Sequence, residues 1–191
     1  MIAVSGKWLA WVAAVGLLVS IAAPGAARAD QEDDRLDDLF ARLKATSSTM
    51  EAAALEQQIW SIWIESEDVS VARLMREGTV AMSQGQLGRA LERFDRMVEL
   101  VPEFAEGWNK RATVHYLMGD YQASVLDIQR TLELEPRHFG ALSGLGLIYD
   151  AIEEPSAALR SFEAALAIHP HLAGTRQRIG ELRRELSGRR T

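Results

Sequence analysis

Apolar residues between positions 71 and 172 recur three and four residues apart, in short segments separated by polar turns. This spacing places them on one face of a helix, so each segment is predicted to be an amphipathic α-helix. Pro102, Pro136 and Pro170 are 34 residues apart, and each closes a segment long enough for two helices. Proline ends a helix because it lacks an N–H group and disfavours helical geometry in the preceding residue. The pattern predicts three copies of one helical pair, at 71–104, 105–138 and 139–172.

Residue size repeats with the same period. When each proline is counted as position 32, position 8 holds the small residues Gly78, Ala112 and Gly146. Position 24 holds the large residues Phe94, Ile128 and Phe162. Small residues let the two helices of a pair approach closely, and large apolar residues fill the space beside that contact.

This pattern resembles the tetratricopeptide repeat (TPR), a helix–turn–helix unit with the same period. The third unit matches best, through Leu145, Gly146, Tyr149, Ala158, Phe162, Ala165 and Pro170. The middle unit departs from the family pattern at Arg111, His115 and Thr131, where Leu, Tyr and Ala are usual. The resemblance implies an all-α fold, a right-handed α-solenoid of antiparallel helix pairs in a TPR-like superhelix.

Residues 30–70 are predicted to form a further pair of helices. An acidic start, Asp30–Asp38, favours a helix N-terminus, although it could also serve as a recognition tail. Ser48 and Glu51 form a capping-box pattern that opens the second helix, which should run to about Glu65. Counting back by one period places Phe40, Trp60 and Trp63 at large apolar positions. We expect a degenerate leading TPR stacked on the first clear repeat; the alternative is a helical pair that packs by a different geometry.

Residues 173–191 are predicted to form a C-terminal capping helix and a basic tail. Ile179, Leu182 and Leu186 share one face of this helix, and its other face is charged. Such a helix would cover the open end of a solenoid. The tail, Arg189–Arg190, suits the C-terminal end of the helix dipole; contact with an acidic protein or an anionic membrane is the alternative.

The first 29 residues have the pattern of a signal peptide. Lys7 gives a positive start, the run from Trp8 to Ala23 carries no charge, and Ala27–Ala29 offers small residues for cleavage. This predicts an exported, periplasmic protein, with an uncleaved inner-membrane anchor as the alternative. The sequence contains no cysteine, which excludes disulfides and thiolate metal sites. A net charge of −6 argues against nucleic acid as a partner.

No arrangement of residues indicates catalysis or a cofactor. The segment His169–His171 lies in a turn between repeats without a carboxylate at ligand spacing, so exposed turn residues are expected there rather than a metal site. The glycines of Gly140–Gly146 lack the lysine of a phosphate loop and the spacing of a nucleophile elbow. We therefore predict a protein that is not an enzyme and needs no cofactor, keeping a small hydrolase as a third hypothesis.

The TPR resemblance implies that the first helix of each repeat lines a concave groove through positions 2, 5, 9 and 12. Carried onto this sequence, the candidate partner-binding residues are Met75, Thr79, Met82, Glu106, Asn109, Thr113, Tyr116, Ser143, Leu147 and Asp150. The set lacks the Lys and Arg residues with which some relatives hold a peptide carboxylate. We expect a scaffold of the cell envelope that binds a protein or peptide segment there; the alternative is a solvated face that binds nothing. The identity of the partner and the oligomeric state stay open.

Overall fold

A computed structural model describes residues 33–66 and 68–188, and within these ranges all regular secondary structure is α-helical. The helices of this part of the chain are α1 (Asp34–Ala45), α2 (Thr49–Ile64), α3 (Val69–Ser83), α4 (Leu87–Leu100), α5 (Ala105–Met118), α6 (Tyr121–Leu134), α7 (Phe139–Ala151), α8 (Pro155–Ile168) and α9 (Ala173–Gly188). The predicted signal peptide, the start of the acidic segment and the basic tail lie outside the described residues.

The pairs α3–α4, α5–α6 and α7–α8 form a right-handed solenoid of antiparallel helices, which confirms the predicted fold class. Consecutive pairs stack, because the first helix of each pair packs against the second helix of the pair before it. The helices α4, α6 and α8 end two residues before Pro102, Pro136 and Pro170. Proline therefore separates the repeats where the sequence pattern places the boundaries.

Glycine at position 8 lets the helices of a pair approach closely. A Cβ added to Gly78 would lie 2.6 Å from the ring of Phe94, and one added to Gly146 would lie 2.5 Å from the ring of Phe162. Both phenylalanines are buried, so the ring of position 24 fills the space that the missing side chain leaves.

The departures of the middle repeat from the family pattern form a partly buried polar network around Asp127. The Arg111 guanidinium donates two hydrogen bonds to the Asp127 carboxylate, at 2.8 and 2.7 Å, and a third to Asp95 of the preceding repeat at 2.9 Å. His115 Nε2 lies 3.8 Å from the same Asp127 side chain, and the Thr131 hydroxyl donates to the Asp127 backbone carbonyl. Charge at position 7 is therefore matched by charge on the facing helix.

The same two positions, 7 and 23, carry different chemistry in the other repeats. In the first repeat the charges are reversed: Arg93 at position 23 lies 3.1 Å from Glu77 at position 7. In the third repeat the two positions hold Leu145 and Ser161. The helical pair thus accepts either an ion pair or an uncharged pair, provided that both members change together.

The C-terminal helix α9 packs on α8 and closes that end of the stack, as predicted. Ile179 and Leu182 are buried in a cluster with Tyr149 and Phe162 of the third repeat. Arg178 on the same helix donates to the Asp150 carboxylate at 2.7 Å.

The N-terminal hairpin, α1–α2, does not lie where a leading repeat would stack. Its apolar residues form a cluster with Phe139, Ile168 and Leu172 of the third repeat, whereas the core of the first repeat contains no residue of the hairpin. The hairpin, residues 34–64, therefore does not cover the front face of the first repeat. Val80, at position 10, is 52% exposed, while the residues at position 10 of the next two repeats, Val114 and Ile148, are 0% and 1% exposed.

The difference from the expectation follows from the contacts of α2, since Trp63 stacks on His138 and Phe139 joins the apolar cluster of the hairpin. The hairpin also lacks the small residues of the clear repeats, because positions 8 and 20 would fall on Lys44 and Glu56. The helices themselves begin and end as predicted: α1 stops at Ala45, and the Ser48 hydroxyl accepts the Glu51 N–H at 3.3 Å to cap α2.

The pairing of positions 7 and 23 can be tested by replacing both residues of the middle repeat with those of the third repeat. Arg111→Leu leaves the Asp127 carboxylate buried without its main partner, and we expect it to lower the free energy of unfolding by about 3 kcal/mol. Arg111→Leu combined with Asp127→Ser installs the pair of the third repeat and should recover most of that loss. Urea unfolding followed by circular dichroism measures both variants. A double variant no more stable than Arg111→Leu alone would contradict the pairing.

Candidate partner-binding groove

The ten predicted groove residues lie on α3, α5 and α7, the first helices of the three repeats. They fall into two groups in the structure. Those that remain exposed or half-buried without an ion pair are Thr79, Met82, Thr113, Tyr116, Ser143 and Leu147. We call these six residues the open groove. The other four are already engaged within the protein.

The open groove combines apolar side chains with hydroxyls. Met82 and Tyr116 are half-buried, and the Tyr116 ring contacts Tyr121 at a centroid distance of 5.7 Å. Leu147 is 45% exposed. The Thr113 hydroxyl donates to the carbonyl of Asn109 one turn earlier, at 2.9 Å, so its donor is used within the helix. This surface can offer apolar contact and hydrogen-bond acceptors to a partner, but no positive charge.

Met75, Glu106, Asn109 and Asp150 do not line an open groove, contrary to the expectation. Met75 is part of the core of the first repeat, and Asp150 is paired with Arg178 of the capping helix. Glu106 and Asn109 are only 1% and 8% exposed. They are buried because the N-terminal hairpin lies over this end of α5, a position that the repeat period does not predict.

Two tryptophans of α2 make the contact between the hairpin and the repeats. Trp60 packs edge-on against Gly140, where an added Cβ would lie 2.7 Å from Trp60 Cη2. Trp63 stacks on the imidazole of His138, with 4.2 Å between ring centroids and 10° between ring planes. The Lys110 ammonium lies 5.4 Å from the centroid of the Trp60 ring, within the range of a cation–π contact.

Glu106 is the polar centre beneath this contact. Its carboxylate accepts hydrogen bonds from Asn109 Nδ2 at 2.8 Å and from His138 Nε2 at 2.9 Å, and it lies 2.9 Å from Lys110 Nζ. His138 Nδ1 accepts the backbone N–H of Ala141, which leaves Nε2 as the protonated nitrogen. Burial alone would raise the pKa of Glu106, but Lys110 and His138 outweigh it and hold the pKa below its ordinary value. The buried carboxylate is therefore ionised near neutral pH.

The turns between repeats hold the sides of the hairpin. His169 Nε2 lies 3.2 Å from the Glu56 carboxylate, and His171 Nε2 lies 3.0 Å from the carbonyl oxygen of Thr46. Arg137 donates to Asp37 at 2.6 Å and covers the Phe40 ring at 4.6 Å. Each polar contact joins a charged or polar group of the hairpin to one of the repeats. The carboxylates belong to the hairpin, and the histidines and the arginine belong to the repeats.

His138 and His169 are buried, although turn residues are expected to be exposed. Their signal in the sequence was the occurrence of three histidines beside the prolines that end the second and third repeats. The periodic pattern of apolar and polar residues cannot reveal this contact, because the hairpin residues that contact these histidines lie roughly a hundred positions away in the chain. Among residues 33–66 and 68–188, no group of histidines and carboxylates is arranged to hold a metal ion.

Comparison with known proteins assigns the chain to a class. A family model described as tetratricopeptide repeat matches residues 75–127 and 110–173. A TPR repeat-containing protein of Rhizobium etli is 34% identical over 157 residues, which cover 82% of this chain and 77% of that protein. The human tetratricopeptide repeat protein 36 is 40% identical over 58 residues, or 30% of this chain and 31% of that protein. The chain belongs to the tetratricopeptide repeat family.

Solved structures agree with the fold. The first TPR of Spaghetti (RPAP3) bound to an HSP90 peptide has a TM-score of 0.60 at 17% identity and covers 66% of this chain and 98% of that chain. The TPR2B domain of yeast Sti1 in complex with pHsp70 has a TM-score of 0.57 at 17% identity, covering 62% and 99%. MamA has a TM-score of 0.58 at 21% identity, covering 78% and 84%.

Proteins of this family are generally non-enzymatic scaffolds that mediate protein–protein interaction, and they bind protein or peptide partners. In the part of the chain that the structure describes, no helix is both long and apolar enough to span a membrane.

The buried imidazole of His169 gives the hairpin contact a dependence on pH. Burial lowers the pKa of His169, and the Glu56 carboxylate opposes this shift only in part. A lowered pKa in the folded state means that the folded protein favours neutral His169. The stabilisation of the folded protein by the neutral imidazole is therefore complete above the unfolded pKa of about 6.5, and it is lost as the pH falls through the folded value. We expect the free energy of unfolding to fall between pH 7.5 and 5.5, and to fall less in His169→Gln. Urea unfolding at both pH values measures the difference, and parallel losses in the two proteins would contradict it.

Proposed function

We propose that this protein is a non-enzymatic interaction module that binds an extended or helical segment of a partner protein in the open groove. The observation that carries the proposal is the accessibility of Thr79, Tyr116 and Leu147, which lie on the first helices of three consecutive repeats. A solenoid presents such positions to a partner as one continuous strip. The relatives that are bound to an HSP90 peptide and to pHsp70 support peptide binding as a use of this fold.

The composition of the open groove favours a partner segment with apolar side chains. Met82 is flexible and can adapt to different shapes, while Tyr116 and Leu147 can each contact an apolar anchor. None of the six residues is basic, so a segment recognised through a terminal carboxylate is disfavoured. Lys110, one turn after Glu106 on α5, is paired with the Glu106 carboxylate at 2.9 Å.

We further propose that the protein acts in the cell envelope, exported through the signal peptide predicted over residues 1–29. The uncharged run from Trp8 to Ala23 and the small residues before Asp30 support this location. The second candidate is a membrane-tethered assembly subunit in which the same run stays uncleaved. The run is shorter than the roughly 20 residues of an ordinary membrane-spanning helix, which favours cleavage.

The open groove can be tested by partner capture. Tyr116→Ala combined with Leu147→Asp removes two apolar side chains from the open groove and places a negative charge there. The matched control is Leu126→Asp on α6, where the leucine is 59% exposed outside the predicted groove positions. Because anchor residues cost about 2 kcal/mol or more each when removed, we expect the groove variant to recover at least about ten-fold less of the partner from an envelope extract. Quantitative mass spectrometry measures recovery; equal recovery by wild type, groove variant and control would contradict the proposal.

The location can be tested on the protein made by its own cells. After fractionation, N-terminal sequencing should give a chain that begins at Asp30, because the signal peptide is removed on export. A chain that keeps residues 1–29 and sediments with the membrane would support the tethered subunit instead.

A further inference from the structure

The N-terminal hairpin is attached to the solenoid without being part of its stack. The core clusters that hold the repeats together contain no residue of α1 or α2. The hairpin has its own cluster, which takes in Phe139, Ile168 and Leu172 from the repeats. Its aliphatic members are Leu36, Leu39, Leu43, Ala52, Leu55, Ile59 and Ile62. The hairpin could therefore leave while the stacked repeats keep their own cores.

The surface beneath the hairpin has the features of a site for aromatic side chains. We call it the inner surface, and it consists of Glu106, Lys110, Arg137, His138, Phe139 and Gly140. Phe139 lies 5.5 Å from Trp60 and 5.1 Å from Trp63, measured between ring centroids. With the stack on His138 and the close approach at Gly140, both indole rings are held on more than one side.

Polar contacts define the rest of the occupant. Arg137 of the repeats forms an ion pair with Asp37 of α1, and His169 Nε2 lies 3.2 Å from the Glu56 carboxylate of α2. In α2, Glu56 precedes Trp60 by one turn and Trp63 follows by another, so the three groups lie along one side of the helix. The occupant is thus an amphipathic helix that carries two tryptophans one turn apart and a carboxylate one turn before them.

We infer that the inner surface is a second binding site, for a partner helix of this chemistry, and that α2 fills it in the resting protein. A partner helix then binds by displacing the hairpin. This site differs from the open groove, and the inference does not depend on binding there. Because the hairpin is tethered, it competes at a high effective concentration. The apparent affinity for any added helix is the intrinsic affinity multiplied by the fraction of molecules whose site is free.

A peptide of residues 33–66, labelled with a fluorophore, is a probe of known chemistry for this site. The acceptors are full-length proteins: wild type, Trp60→Ala with Trp63→Ala, and the same double variant with Gly140→Leu added. The double variant weakens the resident hairpin, and we expect it to bind the peptide at least about ten-fold more tightly than wild type. Gly140→Leu should abolish this gain, because a side chain there occupies the place of the Trp60 ring. Fluorescence anisotropy measures binding, and melting followed by circular dichroism checks that the repeats stay folded.

Two controls distinguish displacement of the hairpin from nonspecific binding of the peptide. A peptide in which both tryptophans are replaced by alanine should not bind any acceptor. The open-groove variant, Tyr116→Ala with Leu147→Asp, should bind the hairpin peptide as wild type does, so that failure at one site is distinguishable from failure at the other. Equal affinity of wild type and the Trp60→Ala, Trp63→Ala variant, or retained binding with Gly140→Leu, would overturn the inference.

Locking the hairpin tests the same point in a protein that keeps its tryptophans. Asp37→Cys with Arg137→Cys introduces the only thiols, since the sequence has no cysteine. The two positions form an ion pair across the contact, so a short bis-maleimide can bridge them. We expect the bridged protein to bind less peptide than the same protein before bridging. Equal binding before and after would overturn displacement as the route to the site.

Discussion

The close fit between a small residue on the first helix of each repeat and a large residue on the second is the contact on which the molecule depends. Gly146 and Phe162 meet so closely that even a methyl group would collide with the ring, and Gly78 and Phe94 meet in the same way. A single pair of helices cannot cover its apolar surface, so each pair also packs on the next. The resulting stack sets the spacing of α3, α5 and α7, and hence the shape of the concave face.

Beside this fixed contact, the repeats vary in chemistry without loss of the fold. Positions 7 and 23 hold Glu77 with Arg93, then Arg111 with Asp127, and finally an uncharged pair. Burying one charge is costly, whereas a matched pair or a neutral pair is tolerated. The middle repeat departs from the family pattern at several positions; Arg111 and His115 face the Asp127 carboxylate, and Thr131 donates a hydrogen bond to the Asp127 backbone carbonyl.

The sequence predicted the features that follow from local patterns and missed the contacts between residues far apart in the chain. Helix ends, the proline boundaries and the glycine–phenylalanine fit follow from local rules, and the capping helix follows from its amphipathic face. The place of the N-terminal hairpin is set by Trp60, Trp63 and His138 meeting across the fold, and no spacing along the chain encodes that meeting. Because the sequence does not reveal where the hairpin lies, Glu106 and Asn109 were expected in an open groove although they are buried. Thr79 and Leu147, which were expected there too, are accessible.

The hairpin also gives the fold its longest-range contacts. Asp37 and Arg137 are 100 residues apart, and Thr46 and His171 are 125 apart, whereas stacked repeats join near neighbours in sequence. Ribosomes make the N-terminal part of a chain first, and domains fold in that direction. The tryptophans of α2 are therefore synthesised well before Phe139 and His169 exist to cover them. The third repeat holds the first helices in place, so the N-terminal hairpin can dock only after residues 139–172 have been made.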